Sequence, residues 1–375
     1  MKMKAALLER FGGEFRWVDD VEIIEPRINE IRVRIVSCGL SSEENAQRMN
    51  LRGMGLPFPI VLGHEGAGIV EAVGPGVTKF REGDKVVMSA PFCGQCPSCA
   101  KGHVWACERA DELEIGGVDY YGTPGPLSRG GMPVYTYYNQ GALAEYTTVH
   151  VNSCVRLPDD YDLRLAGPLG SGLRNGAGAV YSVLKPQLNE WVVITGAGIV
   201  GFGAMWTAAA MGARTLVVDR NSERLALAEK YGADRVLNSK GMNCEELGWK
   251  IAEITGGADC FVECTGQTIC YKAGLQALTR DGRCAAAGLI QDLDFKYIAT
   301  EWQDCKSIQL VRMGNVSGEE MIPILTRLYK RGKFPYDKLI RFYHFEEIEQ
   351  AMEDLIRGRI VKPVLLWDTK ADEEG

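Results

Sequence analysis

At 375 residues the chain is long enough for two domains, each with its own core, and a composition 46% hydrophobic and 24% charged is that of an ordinary globular protein. Forty-two Lys and Arg against 49 Asp and Glu give a formal charge of −7, which offers nucleic acid no basic stripe and an anionic membrane no attraction. The first ten residues hold only the short apolar run Ala5 to Leu8, too short for a signal-peptide core, so a cytoplasmic protein with no nucleic-acid or membrane partner is expected.

Residues 1–160 are rich in short alternating or apolar runs, among them Phe15 to Val18, Glu30 to Val36, Ile69 to Val73, Asp84 to Met88 and Ala144 to Val149. Glycine pairs, prolines and acidic turns separate them, which predicts an irregular β domain with barrel-like character. Within it Cys93, Cys96, Cys99 and Cys107 are spaced by two, two and seven residues. Short Cys-x-x-Cys turns let successive sulfurs converge, and four thiolates close a tetrahedron around one structural Zn²⁺ with no position left open for chemistry. An Fe–S cluster can use similar spacings, but nothing else in the chain points to electron transfer. The eight dispersed cysteines read as packing thiols in a reducing compartment.

Residues 161–298 change texture, with strands at Val192–Ile194, Thr215–Val218, Arg235–Leu237, Cys260–Val262 and Arg283–Ala286 alternating with helical patterns such as Ser222–Tyr231 and Glu245–Thr255. That alternation predicts an α/β, doubly wound parallel sheet. Its first turn is Gly196-Ala-Gly198-Ile199-Val200-Gly201, followed by a second strand that ends on Asp219. The first two glycines permit a tight turn and close approach of a pyrophosphate, and the third lets helix pack on strand. A carboxylate at Asp219 accepts the ribose hydroxyls of NAD(H) and repels the 2′-phosphate of NADP(H), although the neighbouring Arg220 could meet such a phosphate. The run from Trp191 to Ala213 carries no charge, but its glycines and the charged helix beyond argue against a membrane span.

Residues 299–375 are expected to return to the first domain: Met321–Arg331 and Phe345–Arg357 as helices, Leu339–Tyr343 as a strand, and a frayed acidic tail at Asp372–Glu374. A cleft between the two bodies would hold the nicotinamide and a substrate, with 116–140 at its rim.

The stretch Gly63-His64-Glu65-Gly66-Ala67-Gly68, with Gly74-Pro-Gly76-Val77 beyond it, resembles the signature of zinc-containing medium-chain alcohol dehydrogenases. The order of cysteine lobe and dinucleotide turn is similar to that family over nearly the whole chain, and Pro168 to Pro186 most resembles its aryl or benzyl alcohol branch. The resemblance implies a GroES-like catalytic domain beside a Rossmann domain, and a homodimer or homotetramer acting on a small molecule. It also implies a second, catalytic zinc held by a cysteine, the histidine of Gly-His-Glu and another cysteine. Only His64 matches; Ser41 and Ser171 stand at or beside the places of the two cysteines. A neutral hydroxyl is a poor zinc ligand, so no catalytic zinc is expected unless Cys38 or Glu65 rearranges to ligate. Where family members carry a proton-relaying hydroxyl, this chain has Glu43, with Glu44 at the usual aspartate position. Glu43 could act as a general acid or base, or both carboxylates could simply solvate a helix start.

Together these features predict an NAD(H)-dependent oxidoreductase with a zinc-free site built from Ser41, Glu43, His64 and Ser171. The substrate is expected to be small and hydrophobic or aromatic. Loss of a Lewis acid favours reduction of an activated, conjugated C=C or C=N/C=O bond. Ordinary alcohol/aldehyde oxidoreduction is the competing reading, and an NAD-binding protein without net redox turnover a third.

Overall fold

The computed structural model describes residues 1–289 and 304–367. The acidic tail and the expected 298/299 boundary lie outside them. Two compact units emerge: Met1–Ser171 together with Asp337–Gly375, and Gly172–Tyr336.

The first unit is built from two sheets. Lys2–Leu8, Arg16–Ile23, Leu127–Arg129, Met132–Thr136 and Ile60–Val61 close into a barrel, so part of the 116–140 stretch supplies two of its strands. The second sheet runs in the order Cys154–Arg156, Lys85–Met88, Gly66–Val73, Glu30–Gly39, Lys362–Leu366, Ile340–His344, with Tyr146–His150 also pairing with Glu30–Gly39. The apolar run near the end of the chain therefore lies antiparallel to Glu30–Gly39, with Leu365 opposite Cys38. A core of Leu7, Leu8, Ile31, Val33, Ile35 and their neighbours fills the space these strands enclose. Each such side chain contributes roughly 1.5–3 kcal/mol by leaving water.

The second unit carries a six-stranded, wholly parallel sheet in the order Arg235–Asn238, Arg214–Asp219, Trp191–Thr195, Ala258–Glu263, Leu278–Ala286, Ser307–Leu310. In sequence order this is 3-2-1-4-5-6, the doubly wound arrangement, and the strand order reverses beside Trp191–Thr195. All five residues of that strand are buried, which explains a continuous apolar run in place of alternation. Two elements differ from expectation. Ser307–Leu310 adds a sixth strand, and the helix Gly318–Lys330 belongs to this unit, so the chain leaves the nucleotide-type unit near 336. Parallel pairing of Ser307–Leu310 with Leu278–Ala286 is what holds the segment there. Periodicity alone cannot reveal such an edge strand, because only its Ile308 is partly covered and the other three residues are exposed. Among the described residues no helix is long and apolar enough to cross a membrane.

Candidate functional site

The strand Glu30–Gly39 hands over, through Leu40 and Ser41, to the helix Ser42–Arg48. Ser41 is that helix's N-cap and forms a capping box with Glu44. Its hydroxyl accepts the Glu43 amide at 3.0 Å and donates to Glu44 Oε2 at 2.9 Å, and its own amide reaches the same oxygen at 2.9 Å. The first turn of the helix is thereby satisfied by one serine and one carboxylate.

Glu44 turns its other oxygen inward. Oε1 lies 2.5 Å from Nδ1 of His64, and both side chains are almost wholly buried. Burial opposes charge on each, but the mutual attraction and the hydrogen bond prevail: Glu44 is held below the usual carboxylate range, and His64 is raised to about 9. Among the described residues no hydrogen bond engages Nε2 of His64. Two rings border the imidazole: Tyr137 edge-on with centroids 5.8 Å apart, and Tyr138 at 5.0 Å. Tyr138 adopts a left-handed backbone with φ of 57°, which turns the chain sharply between the two tyrosines.

Glu43 faces a different set of partners. Gln47 Nε2 at 2.8 Å, the Arg52 guanidinium at 2.6 Å and the Tyr137 hydroxyl at 3.1 Å all donate to it. Three donors commit Glu43 to accepting, and it anchors Tyr137 beside His64.

A second buried pair backs the first. Lys362 Nζ is 2.5 Å from Glu65 Oε2 and donates to the carbonyl of Leu40 at 2.8 Å, with side-chain exposures of 1% and 0%. The Glu65 carboxylate sits over Gly39, where a Cβ would come within 2.1 Å of Oε2. Glu65 is thus engaged by lysine. Cys38 is wholly buried, and burial, reinforced by Glu44 and Glu65, keeps its thiol neutral. Ser171, also buried, follows the turn Gly167–Gly170, which packs against Glu30–Gly39 and Gly66–Val73.

The cysteine lobe is a separate centre in the same unit. The ligand sulfurs of Cys93, Cys96, Cys99 and Cys107 all lie within 4.8 Å of one another, and the Cys93–Cys99 pair is 4.0 Å apart. Four sulfurs each about 2.3 Å from one Zn²⁺ stand in that range, so this set fits a closed structural zinc. Backbone amides of Cys93, Gln95, Cys96, Cys99 and Glu108 point at the sulfurs, as anionic thiolates require. Tyr120 and Asn152 tie the start of the lobe down by bonding the amide and carbonyl of Phe92, each at 3.1 Å. His150 stacks on Tyr120 with centroids 4.0 Å apart, while His103 is exposed and packs on Trp105.

Ser41, His64 and Ser171 are poorly matched in chemistry to Zn²⁺. They offer one imidazole and two neutral hydroxyls, and the Ser41 oxygen is already spent on an amide and a carboxylate. Among the described residues only the four cysteines bring three or more His, Cys, Asp or Glu ligand atoms together.

In the second unit the turn after Trp191–Thr195 is shaped for a dinucleotide. Gly196 takes φ of +94°, a Cβ on Gly201 would lie 1.9 Å from the Gly196 carbonyl oxygen, and a Cβ on Gly198 would meet nothing within 4 Å. Gly198 is the N-cap of the helix Ile199–Ala210 and offers no side-chain bond, so the first-turn amides at Ile199, Val200 and Gly201 lack a side-chain cap. Asp219 ends its strand with one oxygen on the Ala197 amide at 2.7 Å and the other on the Asn221 amide at 2.8 Å, which fixes the carboxylate beside the glycine turn. Arg220 next to it is exposed. These residues fit an NAD-type cofactor: an open turn for phosphates and an acid for the ribose.

The fold and the two centres define a medium-chain dehydrogenase architecture, a GroES-like catalytic unit plus a Rossmann-like unit. The alcohol dehydrogenase GroES-like domain family matches residues 27–159, and the zinc-binding dehydrogenase family matches residues 200–330. Geraniol dehydrogenase of Castellaniella defragrans is 32% identical over 369 residues, covering 97% of each chain. Two solved structures superpose with TM-scores of 0.90 at 34% identity, each covering 98% of this chain and 99% of its own: benzyl alcohol dehydrogenase from Acinetobacter calcoaceticus and an alcohol dehydrogenase zinc-binding domain protein from Burkholderia ambifaria. The chain belongs to the zinc-type medium-chain alcohol dehydrogenase family and is an alcohol dehydrogenase-like oxidoreductase.

Sequence reasoning missed three features of the site: the Glu44–His64 pair, the Glu65–Lys362 pair and the tyrosine wall. A lysine inside the apolar run Ile360 to Leu366 was the available signal for the second, since a buried ammonium demands a carboxylate.

Proposed function

We propose that this protein is an NAD(H)-dependent alcohol/carbonyl oxidoreductase for small hydrophobic substrates, working without a catalytic zinc. The observation that carries the zinc-free part is the capping box: Ser41 stands next to His64's partner Glu44 and is used up as a helix cap. Relatives named for geraniol and benzyl alcohol support allylic and benzylic alcohols, with their aldehydes, as the substrate class.

Gly196, Gly198 and the amides of Ile199, Val200 and Gly201 would hold the pyrophosphate, and Asp219 the adenine-side ribose. When bound, the nicotinamide supplies or accepts the hydride. The protein's own part is to orient the carbonyl or alcohol carbon and to manage charge on its oxygen. The aromatic rings of buried Tyr137 and half-buried Tyr138 beside His64 suit a flat apolar substrate and would help to keep water from its oxygen. A conjugated aldehyde asks least of such a site, because its carbonyl is already polarised. Ordinary reduction of that carbonyl matches the relatives better than reduction of the C=C bond.

The test is a metal count joined to an assay. Purified protein should contain one zinc per chain and oxidise NADH with benzaldehyde or geranial, giving the alcohol. Two zincs per chain, the second removable only with loss of turnover, would overturn the zinc-free reading. A saturated aldehyde as product would show that C=C reduction is the reaction after all.

A further inference from the structure

The carboxyl ends of the parallel strands in the Gly172–Tyr336 unit carry more than the glycine turn. Resting on the NAD(H) reading above, we propose that Asn175 is a positioning residue for the cofactor: its side-chain amide clamps the turn Met313–Asn315 to the end of Leu278–Ala286 and so fixes the seat of the nicotinamide half.

The location follows from strand order. Asp219 ends one strand, the glycine turn follows the next, and Ala258–Glu263, Leu278–Ala286 and Ser307–Leu310 continue the sheet on the far side. Ligands of such sheets lie across the carboxyl ends where the order reverses. With the adenine-side ribose at Asp219 and the pyrophosphate at the glycine turn, the nicotinamide half extends toward the end of Leu278–Ala286, two strand spacings or about 10 Å further on.

Asn175 reaches this place from the helix Gly172–Gly178, which is fitted closely against the helix Ile199–Ala210. A Cβ on Gly176 would lie 1.8 Å from the Val200 carbonyl oxygen, and one on Gly203 would lie 2.6 Å from that of Leu173. Half-buried there, Asn175 accepts the Gly314 amide at 2.8 Å and donates to the Ala287 carbonyl at 3.4 Å. These partners decide which end of the side chain is oxygen. Neither leucine nor an ionised aspartate, of similar size, offers an acceptor and a donor together.

The turn needs such a hold. Met313, Gly314 and Asn315 are consecutive residues in the left-handed region, with φ of 52°, 77° and 48°, and two of them carry side chains that disfavour it. Such a conformation persists only where its surroundings over-determine it. Asn315 accepts the Arg312 amide at 2.9 Å and donates to the Leu310 carbonyl at 3.2 Å, and the Ser182 hydroxyl donates to the Gly314 carbonyl at 2.6 Å. A Cβ on Gly314 would stand 2.6 Å from the Arg174 carbonyl oxygen, so the turn presses directly on the helix that carries Asn175. At the other end of the clamp, Ala287 and Gly288 both donate their amides to the Glu263 carbonyl at 2.8 Å, which ties it to the strand beside the glycine turn. Held in this way, the turn is shaped before cofactor arrives, and losing the clamp weakens binding only where the nicotinamide lies.

Calorimetric titrations of the full chain, with its zinc lobe loaded, test this. The two ligands are NADH and ADP-ribose, which has the adenine, both riboses and the pyrophosphate but no nicotinamide. Asn175→Leu should bind NADH about tenfold more weakly and ADP-ribose within about twofold of wild type. Ser182→Ala, which frees only the Gly314 carbonyl, should weaken NADH about threefold and leave ADP-ribose unchanged. An Asn175→Leu protein that binds NADH within about twofold of wild type would overturn the clamp. Equal loss of both ligands would overturn it too, since a merely structural residue behaves in that way. The same two outcomes in Ser182→Ala decide the matter if Asn175→Leu does not fold. Wild-type protein that binds neither ligand would overturn the NAD(H) reading itself, and the clamp's role with it.

Discussion

Ser41 illustrates how a single hydroxyl can close the start of a helix. A hydroxyl accepts an amide in good geometry, whereas a thiol is a weak acceptor, so serine suits the start of the Ser42–Arg48 helix. Ser41→Ala is expected to cost about 1 kcal/mol in urea unfolding, with Ser41→Thr close to wild type. Pairing Ser41→Cys with Ser171→Cys should install a second zinc, detectable by metal analysis. His64 is already prepared for it, because a metal-bound histidine commonly donates its other nitrogen to a carboxylate such as Glu44. If the double variant still binds one zinc, Ser41 and Ser171 do not stand close enough to His64 to share an ion.

Among the elements, the glycine turn and the strand Lys362–Leu366 make opposite demands. At Gly198 a methyl group has room, so Gly198→Ala should unfold like wild type yet bind NADH at least tenfold more weakly, because the methyl stands where phosphate would approach. Gly201→Ala should lose stability first, since its Cβ would strike the Gly196 carbonyl. Fluorescence titration with NADH beside a urea melt separates the two. Lys362→Met leaves the Glu65 carboxylate buried without its cation, and such a broken pair costs about 3–5 kcal/mol. Removing both charges, as Glu65→Gln with Lys362→Met, should recover most of that loss.

Which parts of this molecule were legible before folding follows from distance along the chain. The glycine turn and the Cys-x-x-Cys knuckles are written in consecutive residues, because their chemistry is closed within one turn of backbone. The doubly wound sheet showed itself through alternating strand and helix patterns. By contrast, Glu44 and His64 are 20 residues apart, Tyr137 and Glu43 are 94 apart, and Lys362 meets Leu40 across 322 residues. Nothing local marks such partners. The resemblance singles out Glu43 as a candidate acid, but the carboxylate on His64 is Glu44, one position further along the helix. A helix turns about 100° per residue, so neighbours face different sides.

The whole molecule should also record these pairs in its stability against pH. His64 is raised from an unfolded value near 6.5 to about 9, so its contribution is complete below pH 6.5 and fades as pH climbs through 9. His150 is lowered to about 4, chiefly by burial and partly by Lys79, so its contribution is complete above pH 6.5 and is lost as pH falls toward 4. Thermal melts should therefore decline on both flanks. Glu44→Gln should flatten the alkaline flank, and on the acid flank it should remove the share that Glu44 loses as pH falls below its unfolded range while leaving the His150 share in place. Equal alkaline slopes in wild type and Glu44→Gln would show that His64 does not carry that charge in the folded state.

The position of Lys362–Leu366 between Glu30–Gly39 and Ile340–His344 also has a consequence for synthesis. A ribosome delivers the whole Gly172–Tyr336 unit before the strand that finishes the unit begun at residue 1. Until then Glu65 waits with no ammonium to neutralise it, and the sheet around Cys38 has an open edge. The segment translated second can thus complete its fold first, and the earlier one closes only when Lys362 emerges, so the sheet that carries Glu65 is finished after the unit inserted within it.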